Sequence, residues 1–342
     1  MISATTSQKI KNMSLLCAAY VVAIHMGLPG GRETSTWLVH QILVEGFART
    51  AVPFFFVVSG FFLSAHFSEE GWWWREVKKR ISSLVVPFFI WSLIAVIISV
   101  PSSIVADLIA HRPFGTSIYM FHETNWLRIV GIDLTDVPIL GALWYVRCLF
   151  FFVLLSPFIL FLLSKLRIGW LILCFTLHIL HSHISSPAVS SFLIRGFSIY
   201  GLFYFSVGVF IRQYQNFKMT RKKAFWGAAI GISLLVTKII FFYNTWRFQI
   251  LVGKLSVPFL LYVTWHFMSA KSWPLWLTSC AFPIFLMHGL LIYILYRLRI
   301  YQEILMWQPM VNFIVGFFGS IIVTNLLRRT IPRLSQILFG GR

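Results

Sequence analysis

Charged side chains are scarce in this sequence. Asp, Glu, Lys and Arg make up 11% of its 342 residues, whereas 58% of the residues are hydrophobic. The surface of a soluble protein of this length needs far more charged and polar side chains to face water. The composition therefore excludes an ordinary soluble globule and indicates that lipid surrounds most of the chain.

Cysteines are few as well, and their spacing suits neither a disulfide framework nor a metal. The four cysteines lie inside apolar runs and form no CxxC pair; they are Cys17, Cys148, Cys174 and Cys280. We interpret them as packing residues, and we expect no metal site and no bound cofactor. The sequence also has no linker, low-complexity run or internal repeat, so we predict a single domain over residues 1–342.

Acidic residues are the scarcest charged type. Ten Asp and Glu stand against 29 Lys and Arg, which leaves a net charge of +19. Such a basic excess can reflect nucleic-acid binding, but the chain has no separate basic domain, and the positive-inside rule accounts for the excess in a membrane protein. We therefore expect membrane lipids, and no nucleic acid, as partners.

Long apolar runs dominate what is present. A transmembrane helix needs about 20 apolar residues. The runs that qualify are residues 13–30, 47–66, 82–101, 139–163, 168–185, 196–212, 224–243, 248–269, 273–296 and 309–327. They predict an all-α polytopic bundle of about ten spans.

The distribution of basic residues between the loops predicts the orientation of these spans. With the N-terminus in the cytoplasm, most Lys and Arg outside the runs fall in cytoplasmic loops. Lys9 and Lys11 precede the first run, and no small-residue cleavage pattern follows it, which is typical of a retained signal anchor. We predict a multi-pass protein of a bacterial inner membrane with both termini in the cytoplasm.

One outside segment, residues 102–138, is predicted to be the only substantial non-helical piece. Its acidic and histidine side chains are Asp107, His111, His122, Glu123, Asp133 and Asp136. They make the segment too polar to lie in hydrocarbon. We interpret it as a lid or as a loop that faces an acceptor.

Ionisable side chains inside a span are costly and usually face the bundle interior, so each is a candidate site residue. They are His25, Arg147, His178, His181, His183, Lys238, Lys254 and His288. If they converge, they form a cationic cavity that prefers an anionic ligand such as a phosphate. Snorkelling is the alternative for the two lysines, and hydrogen-bonded packing is the alternative for the histidines of the fifth run. No Asp or Glu lies well inside a span, Glu45 coming closest, and this disfavours a proton-coupled transporter.

The first run places small residues on one face with His25. Helical spacing puts His25, Val21, Ala18, Ser14 and Lys11 on roughly one stripe. Such a narrow stripe admits two interpretations, an extended ligand arm that reaches the histidine or a small-residue contact between helices.

Several segments together, in this order, resemble the integral-membrane acyltransferase 3 family, whose multi-span enzymes acylate surface polysaccharides and exopolysaccharides. The segments are MSLLCAAYVVAIH (13–25), VPFFFVVSGFFLS (52–64), KKRISSLVVPFFIW (78–91), LWYVRCLFFFVLLSP (143–157), YGLFYFSVGVFIR (200–212) and CAFPIFLMH (280–288). His25 matches the family's essential histidine, and Arg80 matches the arginine that opens the third helix. The family usually carries an arginine 11 residues before the histidine, where this chain has Ser14; Lys11, on the same face, is the candidate to supply that cation.

The resemblance implies acyl transfer, most commonly of an acetyl group, from acyl-CoA to a hydroxyl of a glycan or its lipid-linked precursor. His25 suits the role of general base because a neutral imidazole is available at working pH; a transient acyl-histidine is the alternative. The basic residues expected to bind the phosphates of the co-substrate acetyl-CoA are Arg80, Lys79, Lys78 and Lys11. The residues expected to line the cavity, stabilise the oxyanion or contact the acceptor are Arg147, Trp144, Tyr145, Ser59 and His288.

Two other functions remain open on the sequence alone. A polysaccharide or lipid-linked sugar exporter could use the same cationic cavity, and a scaffold subunit would associate with other polysaccharide-assembly proteins. The sequence does not distinguish the acceptor sugar, the linkage or the acyl group.

Overall fold

The computed structural model describes residues 3–111, 113, 127, 131–134, 136–181, 189, 192–214, 221–241, 246–297 and 307–341. These residues form helices, turns and irregular loops, and no strand occurs among them. The all-α helical fold predicted from the apolar runs is confirmed.

The helices of the described part of the chain are numbered α1 to α13. They are α1 (Ala4–His25), α2 (Trp37–His66), α3 (Trp72–Ile109), α4 (Gly141–Leu154), α5 (Ser156–Leu166), α6 (Ile168–Leu180), α7 (Ile199–Gln213), α8 (Arg221–Ile240), α9 (Trp246–Phe267), α10 (Leu275–Thr278), α11 (Ala281–Arg297), α12 (Gln308–Thr330) and α13 (Pro332–Leu338). A short π-helical turn, Phe192–Gly196, precedes α7.

The ten predicted spans overlap helices of the described residues, but fewer helices meet the length and hydropathy of a span. Six do so among the described residues, or up to seven if α4 and α5, which are bent by 67°, form one span. α6 and α11 are apolar but shorter, and α1 carries Lys9, Lys11 and Asn12 in its first half. The chain is thus a polytopic helical protein, and the number of ten spans stays a prediction.

The predicted non-helical segment begins later than expected. α3 continues to Ile109 because an apolar pattern persists beyond Pro101, and Asp107 is buried on this extension. His122 and Glu123 lie outside the described residues.

The chain divides into two compact units, and the expectation of one domain stays a prediction. Unit 1 comprises Met1–Trp72, Leu155–Ser185 and Ile199–Ala281; unit 2 comprises Trp73–Leu154, Ser186–Ser198 and Phe282–Arg342.

Unit 1 is built around the packing of α2 on α7 and of α8 on α9. A glycine allows the close approach of α8 and α9: a Cβ on Gly231 of α8 would lie 2.9 Å from Phe259 Cβ of α9.

α1 packs against α2. Its fully buried Asn12 donates from Nδ2 to the carbonyl oxygens of Ser269 (2.9 Å) and Lys271 (2.8 Å). These bonds fix the first half of α1 to the loop that follows α9.

Unit 2 contains α3, α4 and the C-terminal helices. The Trp73 indole donates to the Leu154 carbonyl at 3.2 Å, which ties the start of α3 to the end of α4. The Trp91 indole donates to the Leu338 carbonyl at 3.0 Å and stacks on Phe339, which is fully buried. The end of α13 therefore packs beside α3.

Candidate active site

His25 is the last residue of α1 and is exposed. α1 lies against the segments His40–Phe47, Ala48–Thr50 and Ala51–Leu63 of α2 and against α10. Arg49 of α2 belongs to the second of these segments, Ala48–Thr50. The imidazole is thus accessible at a helix end.

A charged group on α2 joins Arg49 to α8. The Glu45 carboxylate contacts Arg49 Nη2 through Oε1 at 2.5 Å and Lys238 Nζ through Oε2 at 3.0 Å. Lys238 is buried. The Tyr200 hydroxyl donates to the Arg49 main-chain carbonyl at 3.4 Å. Glu45 therefore neutralises one of the two lysines that the sequence placed in a cationic cavity.

The other intramembrane lysine also has partners in unit 1. Lys254 Nζ donates to the His178 carbonyl at 2.7 Å. The buried His178 ring stacks on His181, with ring centroids 5.4 Å apart, and lies 5.1 Å from the Tyr200 ring. Unit 1 therefore brings His178, His181 and Lys254 together, while His183 lies outside the described residues.

The stripe of small residues on α1 is packed in its middle. Ala18 is fully buried and Val21 is 3% exposed. The Ser14 hydroxyl donates to the Ile10 carbonyl within α1 at 2.7 Å, and Lys11 is exposed. This packing favours the helix-contact interpretation of the stripe over a ligand arm that lies along it.

The basic cluster at the start of α3 has an acidic partner. Glu76 contacts Arg80 Nη2 at 3.4 Å and Lys79 Nζ at 3.6 Å, and its own side chain is 8% exposed. Lys78 Nζ lies over the Trp74 ring, 5.4 Å from its centroid. These contacts restrain Arg80, while 63% of the Lys79 side chain stays exposed.

Arg147 of α4 is buried and holds a stretch of the loop that precedes this helix. Its guanidinium donates to the carbonyl oxygens of Gly131 (2.9 Å), Asp133 and Asp136 (2.9 Å). Gly131 has φ +77° and lies against the Phe88 ring of α3, where a Cβ would overlap it. Arg147 thus supports the backbone at Gly131, Asp133 and Asp136.

An apolar cavity of about 320 Å³ lies beside this stretch in unit 2. α3 contributes Leu84, Val85, Phe88 and Phe89, the loop contributes Gly131, Ile132 and Leu134, and α4 contributes Val146, Arg147, Phe150 and Phe151. Apart from Arg147 the lining is apolar, so the cavity suits a hydrocarbon group better than a polar one.

The remaining predicted cavity residues are distributed as follows. Tyr145 is buried edge-on against Phe285, and Trp144 beside it is half-buried. His288 of α11 is buried, and its Nδ1 donates to the Ile284 carbonyl at 3.0 Å. Ser59 is half-buried on α2. Of the residues expected at the catalytic, donor and acceptor positions, His25, Lys11 and Ser59 belong to unit 1, and the others belong to unit 2.

The ion pairs that Glu45 and Glu76 form with Lys and Arg side chains were not predicted from the sequence. Glu45 and Arg49, like Glu76 and Arg80, are four residues apart, a spacing that brings side chains together on a helix. That spacing was the available signal. The described residues contain no group of three or more His, Cys, Asp or Glu side chains that could hold a metal ion.

Comparison with known proteins gives one match. The model of the acyltransferase 3 family matches residues 10–329. It is described as an acyltransferase domain. No curated protein and no solved structure matches the chain.

Proposed function

Because the chain belongs to the acyltransferase 3 family, a family of membrane acyltransferases, we propose that it transfers an acyl group, most simply acetyl, from acyl-CoA to a hydroxyl of a surface glycan or exopolysaccharide. The acceptor in this proposal is the glycan or its lipid-linked precursor. The protein acts in the bacterial inner membrane with both termini in the cytoplasm, where the donor is available.

The match over residues 10–329 carries the proposal. It contains both His25 and Arg80, the two positions at which the motifs of this chain agree with the family's histidine and arginine. The exposure of His25 at the end of α1 supports its role, since a general base must be reachable by the hydroxyl whose proton it accepts.

In the proposed reaction the acceptor oxygen attacks the thioester carbonyl and His25 accepts the hydroxyl proton. The tetrahedral intermediate then collapses, the carbon–sulfur bond breaks, and the proton passes from His25 to the leaving CoA thiolate. A new ester and free CoA are the products, so atoms and charges balance without an oxidant or a metal ion.

Donor binding is assigned to the basic residues near the start of α3. Arg80, Lys79 and Lys78 supply cations for the phosphates of acyl-CoA, and Lys11 is a further candidate in unit 1. The exposure of Lys79 supports this assignment, because a phosphate can reach its ammonium group without displacing packed side chains. Trp144, Tyr145, Ser59 and His288 are proposed to shape the site for the acyl group or the acceptor.

Incubation of the purified protein in lipid nanodiscs with labelled acetyl-CoA and candidate glycans tests the proposal. Label transferred to a glycan supports an O-acyltransferase. In proteoliposomes, flux of unmodified glycan without label would instead support an exporter. The absence of both label transfer and flux would support a scaffold subunit.

A further inference from the structure

One side of the apolar cavity in unit 2 lies at the protein surface. Among its lining residues, Phe89 of α3 is 43% exposed and Ile132 of the loop is 52% exposed. Phe89 is also one of a row of exposed apolar side chains at helical spacing along α3, together with Val86, Leu93 and Ile97. An exposed apolar row of this kind faces hydrocarbon in a membrane protein. The cavity therefore opens toward lipid.

The size and the walls of this cavity suit a hydrocarbon chain. Arg147 in the lining donates to main-chain carbonyls, and the other walls are apolar. Water is a poor occupant of such a space, because it needs several polar partners. The volume of about 320 Å³ is about twice the roughly 150 Å³ of an apolar cavity that binds benzene. A segment of a lipid chain would supply the dispersion contacts that these walls otherwise lack.

A basic cluster precedes the cavity on the same helix. Residues 73–80 contain four cations and one carboxylate, namely Arg75, Lys78, Lys79, Arg80 and Glu76. The Lys79 side chain is 63% exposed, and Lys78 Nζ lies over the exposed Trp74 ring. Leu84, the first lining residue of α3, follows Lys79 by five residues, which is about 7 Å along the helix axis. An exposed ammonium group is thus close in the chain to the apolar cavity.

The length of α3 indicates the depth of this cluster in the membrane. Its 38 residues extend over about 57 Å, whereas the hydrocarbon layer is about 30 Å thick. The whole helix therefore does not fit in hydrocarbon. Trp73, Trp74 and the lysines at its start are residue types that lie at the level of the lipid headgroups. The cavity then begins just inside the headgroup layer.

We propose that unit 2 binds an anionic phospholipid, with its phosphate at Lys78 and Lys79 and one acyl chain in the apolar cavity. In a phospholipid only a glycerol separates the phosphate from the acyl chains, which matches the short step from Lys79 to Leu84. In a long-chain acyl-CoA the whole pantetheine arm separates the phosphates from the acyl carbons, so this spacing favours the phospholipid. Because both lysines are also assigned to the donor phosphates, binding is measured without acyl-CoA, and its outcome does not depend on the proposed function.

Native mass spectrometry of the full-length protein in detergent micelles measures binding of dioleoyl phosphatidylglycerol, which is anionic, and of dioleoyl phosphatidylcholine, which is neutral overall. We expect phosphatidylglycerol to bind about tenfold more tightly, since each lysine near a lipid surface contributes to the attraction. Equal affinity for the two lipids overturns the proposal. Undecaprenyl phosphate is the competing lipid phosphate, and tighter binding of this lipid than of phosphatidylglycerol also overturns it.

Two pairs of variants separate the headgroup from the chain. Lys78→Gln with Lys79→Gln should abolish most of the preference for phosphatidylglycerol, whereas Lys222→Gln with Lys223→Gln, an exposed pair at the start of α8, should preserve it.

Val85→Trp fills the cavity and should weaken phosphatidylglycerol binding by about threefold or more. Val86→Trp places the same side chain on the exposed row and should bind like the wild type. Equal affinities within either pair contradict the proposed site.

The wild-type protein provides a measurement that does not depend on how the variants fold. A phosphatidylglycerol with a photoreactive diazirine in one acyl chain is cross-linked to the protein, and the adducts are mapped by peptide mass spectrometry. We expect adducts concentrated at 84–89, 131–134 and 146–151, and we expect unlabelled phosphatidylglycerol, but not phosphatidylcholine, to suppress them. Adducts spread evenly over the exposed apolar helices, or equal suppression by both lipids, would overturn the inference.

Discussion

Gly60 of α2 and Gly208 of α7 each lie against the backbone of the other helix. A Cβ on Gly60 would overlap the carbonyl oxygen of Phe205, and a Cβ on Gly208 would overlap the carbonyl oxygen of Val57. Small residues at a crossing of this kind let two membrane helices approach closely. Two of the recognisable sequence segments, at 52–64 and 200–212, therefore meet in unit 1 as a packing contact.

Gly208→Ala should destabilise the protein, because the added methyl group has no space and backbone must move. Overpacking of this kind costs about 1–3 kcal/mol. We expect a lower Tm in thermal unfolding of the detergent-solubilised protein. Gly289→Ala is the control, since a Cβ at Gly289 meets nothing within 4 Å, and its Tm should be unchanged or higher. Equal Tm values for the two variants would contradict the described crossing.

The helices were predictable from the sequence, whereas the ion pair between two helices was not. Apolar runs determine where helices form, since lipid demands internally satisfied backbone. Helix ends were less predictable, as the extension of α3 to Ile109 shows. The pairing of Glu45 with Lys238 joins residues 193 positions apart, and no local pattern specifies it.

Arg147 shows the same limit for the candidate site. Its position inside an apolar run marked it as functional, but its partners are main-chain carbonyls of Gly131, Asp133 and Asp136. Every residue has a carbonyl, so no side-chain pattern could have identified these partners. Only the folded loop reveals that the guanidinium supports it.

Arg147→Met should release the stretch 131–136 from the helices that it contacts. Each buried carbonyl left without a donor costs about 1–3 kcal/mol. We expect faster proteolytic cleavage within 131–136, mapped by mass spectrometry of the peptides. Arg329→Met, at an exposed arginine of α12, is the control and should leave cleavage unchanged. If Arg147→Met is cleaved there no faster than the wild type, Arg147 does not support this stretch.

Substitutions of Glu76 and of Arg80 should change the KM for the acyl donor in opposite directions. Glu76→Gln removes the carboxylate that competes with phosphate for Arg80 and Lys79, so the KM for acyl-CoA should fall by about two- to fivefold. Arg80→Ala should raise the same KM and leave kcat nearly constant. Steady-state kinetics with a fixed acceptor measures both effects. KM values that change in the same direction would exclude this cluster from the donor site.

Trp91→Phe should loosen the C-terminal helix α13. The substitution keeps an aromatic ring beside Phe339 but removes the indole donor to the Leu338 carbonyl, a loss of about 0.5–1.5 kcal/mol. We expect faster hydrogen–deuterium exchange over residues 332–341. Ile337→Ala, on the half-exposed side of the same helix, should change exchange much less. Identical exchange in both variants would argue against this contact as the anchor of α13.

The role of His25 is tested most directly by acyl transfer in His25→Ala, compared with His66→Ala as an exposed histidine of the same unit. Both variants should insert and remain monodisperse in nanodiscs. We predict that His25→Ala transfers no label from acetyl-CoA to the glycan, while His66→Ala retains wild-type turnover. Undiminished transfer by His25→Ala would contradict the account.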